Sequence, residues 1–147
     1  MTRNKKPRAG VQVLGTGKTP RISPSATDNP LQRTPVWRVH QLDIAGPWSC
    51  LEGTAKEFEA VLRRLGSFEG MRWYDIIGKD SHSIPVNQLS KAAQDRLCAR
   101  GLDDLDEIFS LRIDGPGRII GILDGHCLKI LWWDPRHEVC PSKLKHT

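Results

Sequence analysis

Three side chains near the carboxyl end of the chain have the types that phosphate chemistry uses: Arg112, Arg118 and His137. An arginine guanidinium presents a planar fork of donors that can hold two phosphate oxygens at once, and it stays charged at any working pH. Histidine has an unperturbed pKa that lets it give or take a proton near neutrality. Together these side chains suit phosphoryl transfer or RNA cleavage, which would require neither a metal ion nor another cofactor.

These residues lie in a segment of short apolar runs joined by glycine turns, residues 110–137, SLRIDGPGRIIGILDGHCLKILWWDPRH. Apolar and polar residues alternate in IFSLRID, which predicts a strand with one core face and one polar face. The core face holds Phe109, Leu111 and Ile113, and the polar face holds Ser110, Arg112 and Asp114. Turn signals at residues 114–117 and 124–125 predict a three-strand antiparallel meander. Pairing in register would bring Arg112 and Arg118 close together.

An apolar stretch and a helical pattern come earlier in the chain. VWRVHQLDI, residues 36–44, is rich in β-branched and aromatic residues and predicts a first strand. Thr54 and Glu57 form a capping-box pattern ahead of AKEFEAVLRRL, whose apolar residues recur at helical spacing. We expect this helix to end at Gly66.

Two further helices are predicted before the meander. MRWYDII, residues 71–77, favours a short helix. QLSKAAQDRLCAR has apolar residues on one helical face, with Asn87 or Ser90 as its amino-terminal cap and Gly101 as its stop.

The order of elements predicts one α+β domain over residues 35–147, of order β-α-α-β-β-β with a short helix between the two long ones. We expect an antiparallel sheet, formed by the meander and the N-terminal strand, with the helices on one face. The other face would then be open to solvent or to a partner.

Residues 1–34 differ in composition from the rest of the chain. They hold seven of the 22 Lys and Arg side chains but only one of the 17 Asp and Glu side chains, and few apolar residues. Such a segment cannot offset the entropy of ordering itself, so we predict a disordered basic tail. The remainder, with 15 basic and 16 acidic residues, is close to neutral. Nucleic-acid binding by the domain would therefore depend on local geometry rather than on net charge.

The sequence also bears on the compartment of the protein. Its four cysteines, Cys50, Cys98, Cys127 and Cys140, lack both the CxxC spacing of a zinc site and the density of a disulfide scaffold. No apolar run reaches the roughly 18 residues that a membrane span requires, and no signal-peptide pattern opens the chain. We expect a cytoplasmic protein without a membrane partner.

Further candidates for RNA binding are Lys129, Trp133 and Arg136, two cations and one aromatic on or after the last strand. Trp132 and Trp133 point to opposite faces of that strand, so one would be core and the other could stack on a base or pack on a helix, with packing favoured. The arginines also have an ordinary interpretation, in which Asp114 and Asp124 neutralise them in weak surface pairs.

The segment SLRIDGPGRIIGILDGHCLKILWWDPRH, preceded by two helices and a strand, resembles the RelE/ParE toxin superfamily of bacterial toxin–antitoxin systems. Its ending, LKILWWDPRHEVCPS, also looks like an uncharacterised bacterial family that ends in LWWDPxH. The broad resemblance covers residues 36–140, and its motifs lie in the last third. It implies a ribosome-associated endonuclease that cleaves mRNA, with a cognate antitoxin as its partner.

The resemblance also implies how cleavage would proceed. The RNA 2′-hydroxyl would attack the adjacent phosphate and leave a cyclic phosphate and a 5′-hydroxyl. Arg118 would stabilise the charge on the phosphate, Arg112 would orient it, and His137 would protonate the leaving oxygen. The general base has three candidates, Glu107, Asp104 and His82, which spacing does not separate.

Two alternatives stand beside this hypothesis. A near-neutral domain with Asp134 close to His137 would bind RNA weakly, which favours a non-catalytic module that inhibits or adapts a host protein. A nucleic-acid binder that depends on the basic tail is the other alternative, and it predicts that deletion of residues 1–34 abolishes binding.

Overall fold

The computed structural model describes residues 28–141, which form a mixed five-stranded sheet with three α-helices. In chain order the elements are β1 (Val36–Arg38), α1 (Ala55–Phe68), α2 (Trp73–Ile76), β2 (His82–Pro85), α3 (Lys91–Ala99), β3 (Glu107–Asp114), β4 (Gly117–Asp124) and β5 (Cys127–Asp134). Short 3-10 turns lie at Pro30–Gln32, Cys50–Glu52 and Val86–Gln88. The sheet order is β1-β5-β4-β3-β2. The predicted α+β class is confirmed.

The C-terminal meander forms as predicted. β3, β4 and β5 pair antiparallel in sequence, and the two hairpins turn at Gly115 and Gly125. Both glycines have positive φ, +43° and +64°, a backbone conformation that residues with a Cβ rarely adopt. A bulge between Ile120 and Gly121 interrupts the pairing of β4 with β5.

The prediction of a wholly antiparallel sheet is wrong at β1, and the sheet has one strand more than predicted. β1 runs parallel to β5, and β2, a strand that the sequence did not predict, pairs antiparallel with β3. β2 has only four residues, one of them proline, and Ile84 is its one buried side chain, so it lacks the alternation that marks a strand. β1 ends at Arg38 rather than Ile44, because the chain then turns and Asp43 donates its backbone N–H to the Leu131 carbonyl.

The helices lie on both faces of the sheet and not on one, as the sequence had predicted. Val61 and Leu65 of α1 pack in one core with Phe109 and Leu111. On the opposite face, α3 packs Ala93 and Leu97 in a second core that contains Ile108, Ile120 and Trp132. The predicted polar face of β3 is therefore covered along most of its length, since Ile108 and Ser110 are both buried. Only the end of β3 at Arg112 extends beyond α3 and is not covered by this helix.

The helix boundaries follow the predicted signals with one exception. Thr54 and Glu57 form the capping box, and Ser90 rather than Asn87 caps α3. Helix α1 continues past Gly66 to Phe68, whose side chain is buried. Burial of an aromatic ring outweighs the roughly 1 kcal/mol that a glycine costs inside a helix.

A buried carboxylate ties three parts of the fold together. Asp43 accepts hydrogen bonds from Arg96 Nε (2.7 Å), Arg96 Nη2 (2.6 Å) and Trp132 Nε1 (2.9 Å), and Arg100 Nη1 lies 3.2 Å away. The Arg96 hydrogen bonds are the main reason that the pKa of Asp43 falls to about 2. This cluster fixes the loop before α1 against α3 and β5.

The predicted tail lies, for residues 1–27, outside the described residues. Residues 28–34 are described and lie against α2, where Trp73 donates its backbone N–H to the Arg33 carbonyl and Arg72 donates to the Gln32 side chain. None of the helices in the described part of the chain has the length and apolar character to cross a membrane.

Candidate catalytic cavity at the end of the sheet

Arg112 and Arg118 are direct cross-strand neighbours on β3 and β4, and Arg118 is in turn the cross-strand neighbour of Asp134 on β5. Directly opposed residues of an antiparallel pair have their side chains on the same face. Arg118 and Asp134 lie two residues from Ile120 and Trp132, so this charged row continues the face that α3 covers. The row thus lies at the end of the sheet, next to the α3 core.

Asp134 is buried, and both of its carboxylate oxygens are occupied. Oδ1 accepts the backbone N–H of Glu138 at 2.9 Å, and Oδ2 accepts that of Val139 at 2.8 Å. Burial raises the pKa of Asp134, although these two hydrogen bonds oppose the shift. The carboxylate therefore serves as the anchor of the loop that carries His137, rather than as an open charge facing a phosphate.

His137 lies in that anchored loop, and its backbone has a φ of 60°. Among the described residues it is the one non-glycine with positive φ, a strained conformation that persists only when the surroundings impose it. Burial lowers the pKa of His137, and the positive charge of Arg118 lowers it further. The imidazole is therefore neutral near pH 7, the form that accepts a proton.

A cavity of about 300 Å³ brings His137 and Arg118 together. Its walls are formed by the loop before β2, by strands β2, β3 and β4, and by the C-terminal loop. The polar side chains in the walls are those of Lys79, Asp80, His82, Ser83, Gln88, Ser110, Arg118, His137 and Cys140. Arg112 lies across from Arg118 but lines a neighbouring cavity, which shares Asp80 with this one.

The two arginines have different partners. Arg112 Nη1 forms an ion pair with Asp80 at 3.1 Å, in which both side chains are about half exposed. Arg118 Nη1 donates to the backbone carbonyls of Gly115 (2.8 Å) and Gly117 (3.1 Å), and within residues 28–141 no carboxylate pairs with it. Burial and the Arg112 charge lower the pKa of Arg118, but a guanidinium keeps its proton at any working pH. Arg112 is therefore ion-paired, whereas Arg118 receives only the longer-range attraction of Asp80 and Asp134.

Of the three candidates for the general base, the cavity contains one. His82 lines it, because β2 pairs His82 with Ser110 of β3. Glu107 and Asp104 are exposed and do not line this cavity. Nothing in the local sequence distinguished His82, since its position depends on a strand too short to be recognised.

The three predicted RNA-binding residues lie apart from the cavity. Lys129 forms an ion pair with Asp124 at 3.4 Å, near the opposite end of β5. Trp133 is buried on the α1 face, where it packs in the core. Arg136 is exposed and lines a different cavity with several glutamates, including Glu52. The structure therefore does not bring these three residues together with Arg118.

A second cavity, of about 340 Å³, lies between α1 and the chain that follows β1, and all its lining residues are apolar. Of the eight large apolar side chains exposed in the described part of the chain, five line it: Val39, Ile44, Leu51, Phe58 and Leu62. Contiguous exposed apolar side chains of this kind are typical of a contact surface for another protein. We call these five residues the α1 apolar surface.

Comparisons with models of protein families, with curated proteins and with solved structures each find no match. Within residues 28–141, no group of three or more His, Cys, Asp or Glu side chains is placed to hold a metal ion.

Proposed function

We propose that this chain is a RelE-like toxin, a ribosome-associated endonuclease that cleaves mRNA in the cytoplasm and is held in check by an antitoxin protein. The observation that carries the proposal is that one cavity is lined by both Arg118 and His137, with Arg112 directly across the sheet from Arg118. Two guanidiniums suit a phosphate, and an imidazole suits the proton transfer that phosphodiester cleavage requires.

The proposed reaction uses the RNA itself as the nucleophile. The 2′-oxygen attacks the adjacent phosphorus and the bond to the 5′-oxygen breaks, which leaves a 2′,3′-cyclic phosphate and a 5′-hydroxyl. Arg118 stabilises the negative charge that builds on the phosphate oxygens, and Arg112 orients the phosphate through its other guanidinium nitrogens while Nη1 stays paired with Asp80. His137 exchanges a proton with one of the two reacting oxygens.

The contacts that hold the loop of His137 in place also favour a catalytic role for this residue. Asp134 holds the backbone of the loop at Glu138 and Val139, and this contact stabilises the strained φ of His137. Backbone strain of this kind concentrates at functional sites, where the surrounding structure fixes a side chain in one orientation.

Growth arrest tests the proposal. Expression of the wild-type chain in a bacterial host should stop growth and produce mRNA fragments with 5′-hydroxyl ends, and Arg118→Ala should abolish both effects. Arg63→Ala is the matched control, because Arg63 is an exposed arginine on α1 with an ordinary i,i+4 ion pair to Glu59. Toxicity that Arg118→Ala leaves unchanged would exclude the catalytic role of Arg118.

A non-catalytic binding module on the same fold is the second candidate, and the α1 apolar surface favours it. In that case the wild-type chain cleaves no mRNA but binds a host protein stably. The double substitution Leu51→Ser and Leu62→Ser should then abolish binding, because both side chains are more than half exposed on that surface. Arg118→Ala should leave binding intact.

A further inference from the structure

Cleavage by the 2′-hydroxyl needs two proton transfers, one from the attacking oxygen and one to the leaving oxygen. His137 can perform only one of them in a single turnover. Its surroundings favour the neutral imidazole, because burial and the charge of Arg118 lower its pKa. A neutral imidazole is suited to take the proton from the 2′-hydroxyl, so the proton for the leaving oxygen must come from another group.

The other ionisable side chains in the walls of the cavity are Lys79, Asp80, His82, Arg118 and Cys140. Arg118 keeps its proton at any working pH, and Asp80 is held in the ion pair with Arg112. Cys140 directs its Sγ towards the Gln88 carbonyl at 3.5 Å, and burial raises the pKa of its thiol, so it holds its proton firmly. Lys79 lies on a loop, outside β2, and its ammonium is at the end of a long flexible stem.

His82 has the geometry that a proton-transfer group needs. Its backbone is fixed in β2 opposite Ser110, and its Nδ1 lies 3.1 Å from the Ser83 carbonyl oxygen. A carbonyl oxygen can only accept a hydrogen bond, so Nδ1 carries a hydrogen and Nε2 is the nitrogen that exchanges protons.

We propose that His82 is the second catalytic residue of this cavity, which donates a proton from Nε2 to the leaving 5′-oxygen while His137 accepts the proton of the 2′-hydroxyl. The substrate is therefore RNA, and the role of His137 is the reverse of the one that the RelE resemblance implies. The step is balanced: one P–O bond forms, one breaks, His137 gains a proton and His82 loses one. Exchange with water then restores both. The inference rests on the proposed function.

A substrate with a bridging sulfur separates the two proton transfers. A thiolate leaves without protonation, so replacing the 5′-oxygen by sulfur at the linkage that the wild-type chain cuts removes the need for a general acid. On ribosome-bound mRNA, the His82→Ala variant should cleave the oxygen substrate about 100-fold or more slowly than the wild-type chain. It should cleave the sulfur substrate at nearly the wild-type rate. His137→Ala should be slow on both substrates.

Each outcome bears on a different claim. Wild-type chain that cuts neither substrate would overturn the proposed function, and the role of His82 with it. Wild-type chain that cuts while His82→Ala cuts the oxygen substrate equally well would overturn the role of His82 alone, as would a defect that the sulfur substrate does not rescue. Arg63→Ala is the matched control, since it removes an exposed charge on α1 that does not line the cavity and should change neither rate by more than a few fold. His82→Gln is a second variant at this position and should show the same defect as His82→Ala. Thermal unfolding curves that match the wild-type curve exclude a folding defect in these variants.

Discussion

Arg112 and Arg118 lie directly opposite each other on β3 and β4, and a carboxylate pairs with Arg112 but, within the described chain, not with Arg118. Like charges in this position repel each other and destabilise a sheet. The structure retains both next to a cavity, where a bound anion would relieve the repulsion. This arrangement is the basis for the first prediction below.

Inorganic phosphate or sulfate should stabilise the protein. A ligand that binds only the folded state adds about 1.4 kcal/mol at ten times its Kd, which corresponds to a rise in Tm of roughly 5 °C. Differential scanning calorimetry against phosphate concentration measures this rise. Arg118→Ala should lose it and Arg63→Ala should keep it, with ionic strength held constant by chloride. An equal rise in all three proteins would show that the arginine pair holds no anion.

Asp134→Asn should lower stability and cleavage together. The two backbone N–H groups bind different oxygens of Asp134, and an amide replaces one of these oxygens with an NH2 donor, so one N–H would face a donor. The group left without a partner costs about 1 to 3 kcal/mol, as measured by urea denaturation. Cleavage should fall further than stability explains, because the loop that carries His137 loses its anchor. A variant that cleaves normally would contradict this positioning role.

Stability should depend on Asp43 in acid. The folded-state pKa of about 2 lies below the ordinary value of 3.8, so Asp43 stabilises the fold fully above pH 4. This contribution, on the order of 2 kcal/mol, is lost as the pH falls from 4 towards 2. Urea denaturation at pH 5 and pH 3 should show a smaller drop for Asp43→Asn than for wild type. The variant should also be less stable at pH 7, by about 3 kcal/mol.

Gly46→Ala should destabilise the fold, because an added Cβ would collide with the Asp43 carboxylate and lie 2.7 Å from Arg96 Nε. We expect a loss of about 1 to 3 kcal/mol. Gly66→Ala is the matched control. Its Cβ would meet nothing within 4 Å, and removing a glycine from helix α1 should add about 0.5 to 1 kcal/mol. Thermal unfolding of the two variants should therefore shift in opposite directions.

The cleavage rate should rise with pH through a pKa below 6.5, the ordinary value for His137. Burial and Arg118 lower this pKa, and only the neutral imidazole accepts the 2′-hydroxyl proton. Single-turnover rates on ribosome-bound mRNA from pH 5 to 8 measure the rise. The rising limb should disappear in His137→Ala and persist in Arg63→Ala. A falling limb that disappears in His137→Ala would instead indicate that His137 donates the proton.

The sequence by itself determined the meander and, with it, the pairing of Arg112 with Arg118. Hairpin register depends on turn residues and on alternation within a few positions, both of which are local signals. The capping box of α1 and the Ser90 cap of α3 are local in the same way. These elements could therefore be predicted from short windows of sequence.

Only the tertiary structure decided which other side chains meet that pair. His82 reaches the cavity through β2, a strand defined by its partner β3 rather than by its own residues. Asp134 becomes an anchor because the chain folds back so that Val139 enters the α3 core. Trp133 and Lys129 lie outside the site. The position of a residue along a strand fixes the face of the sheet on which its side chain lies and its distance from the end of the sheet. Contacts between residues distant in sequence depend on how the layers pack, and no local pattern records that packing.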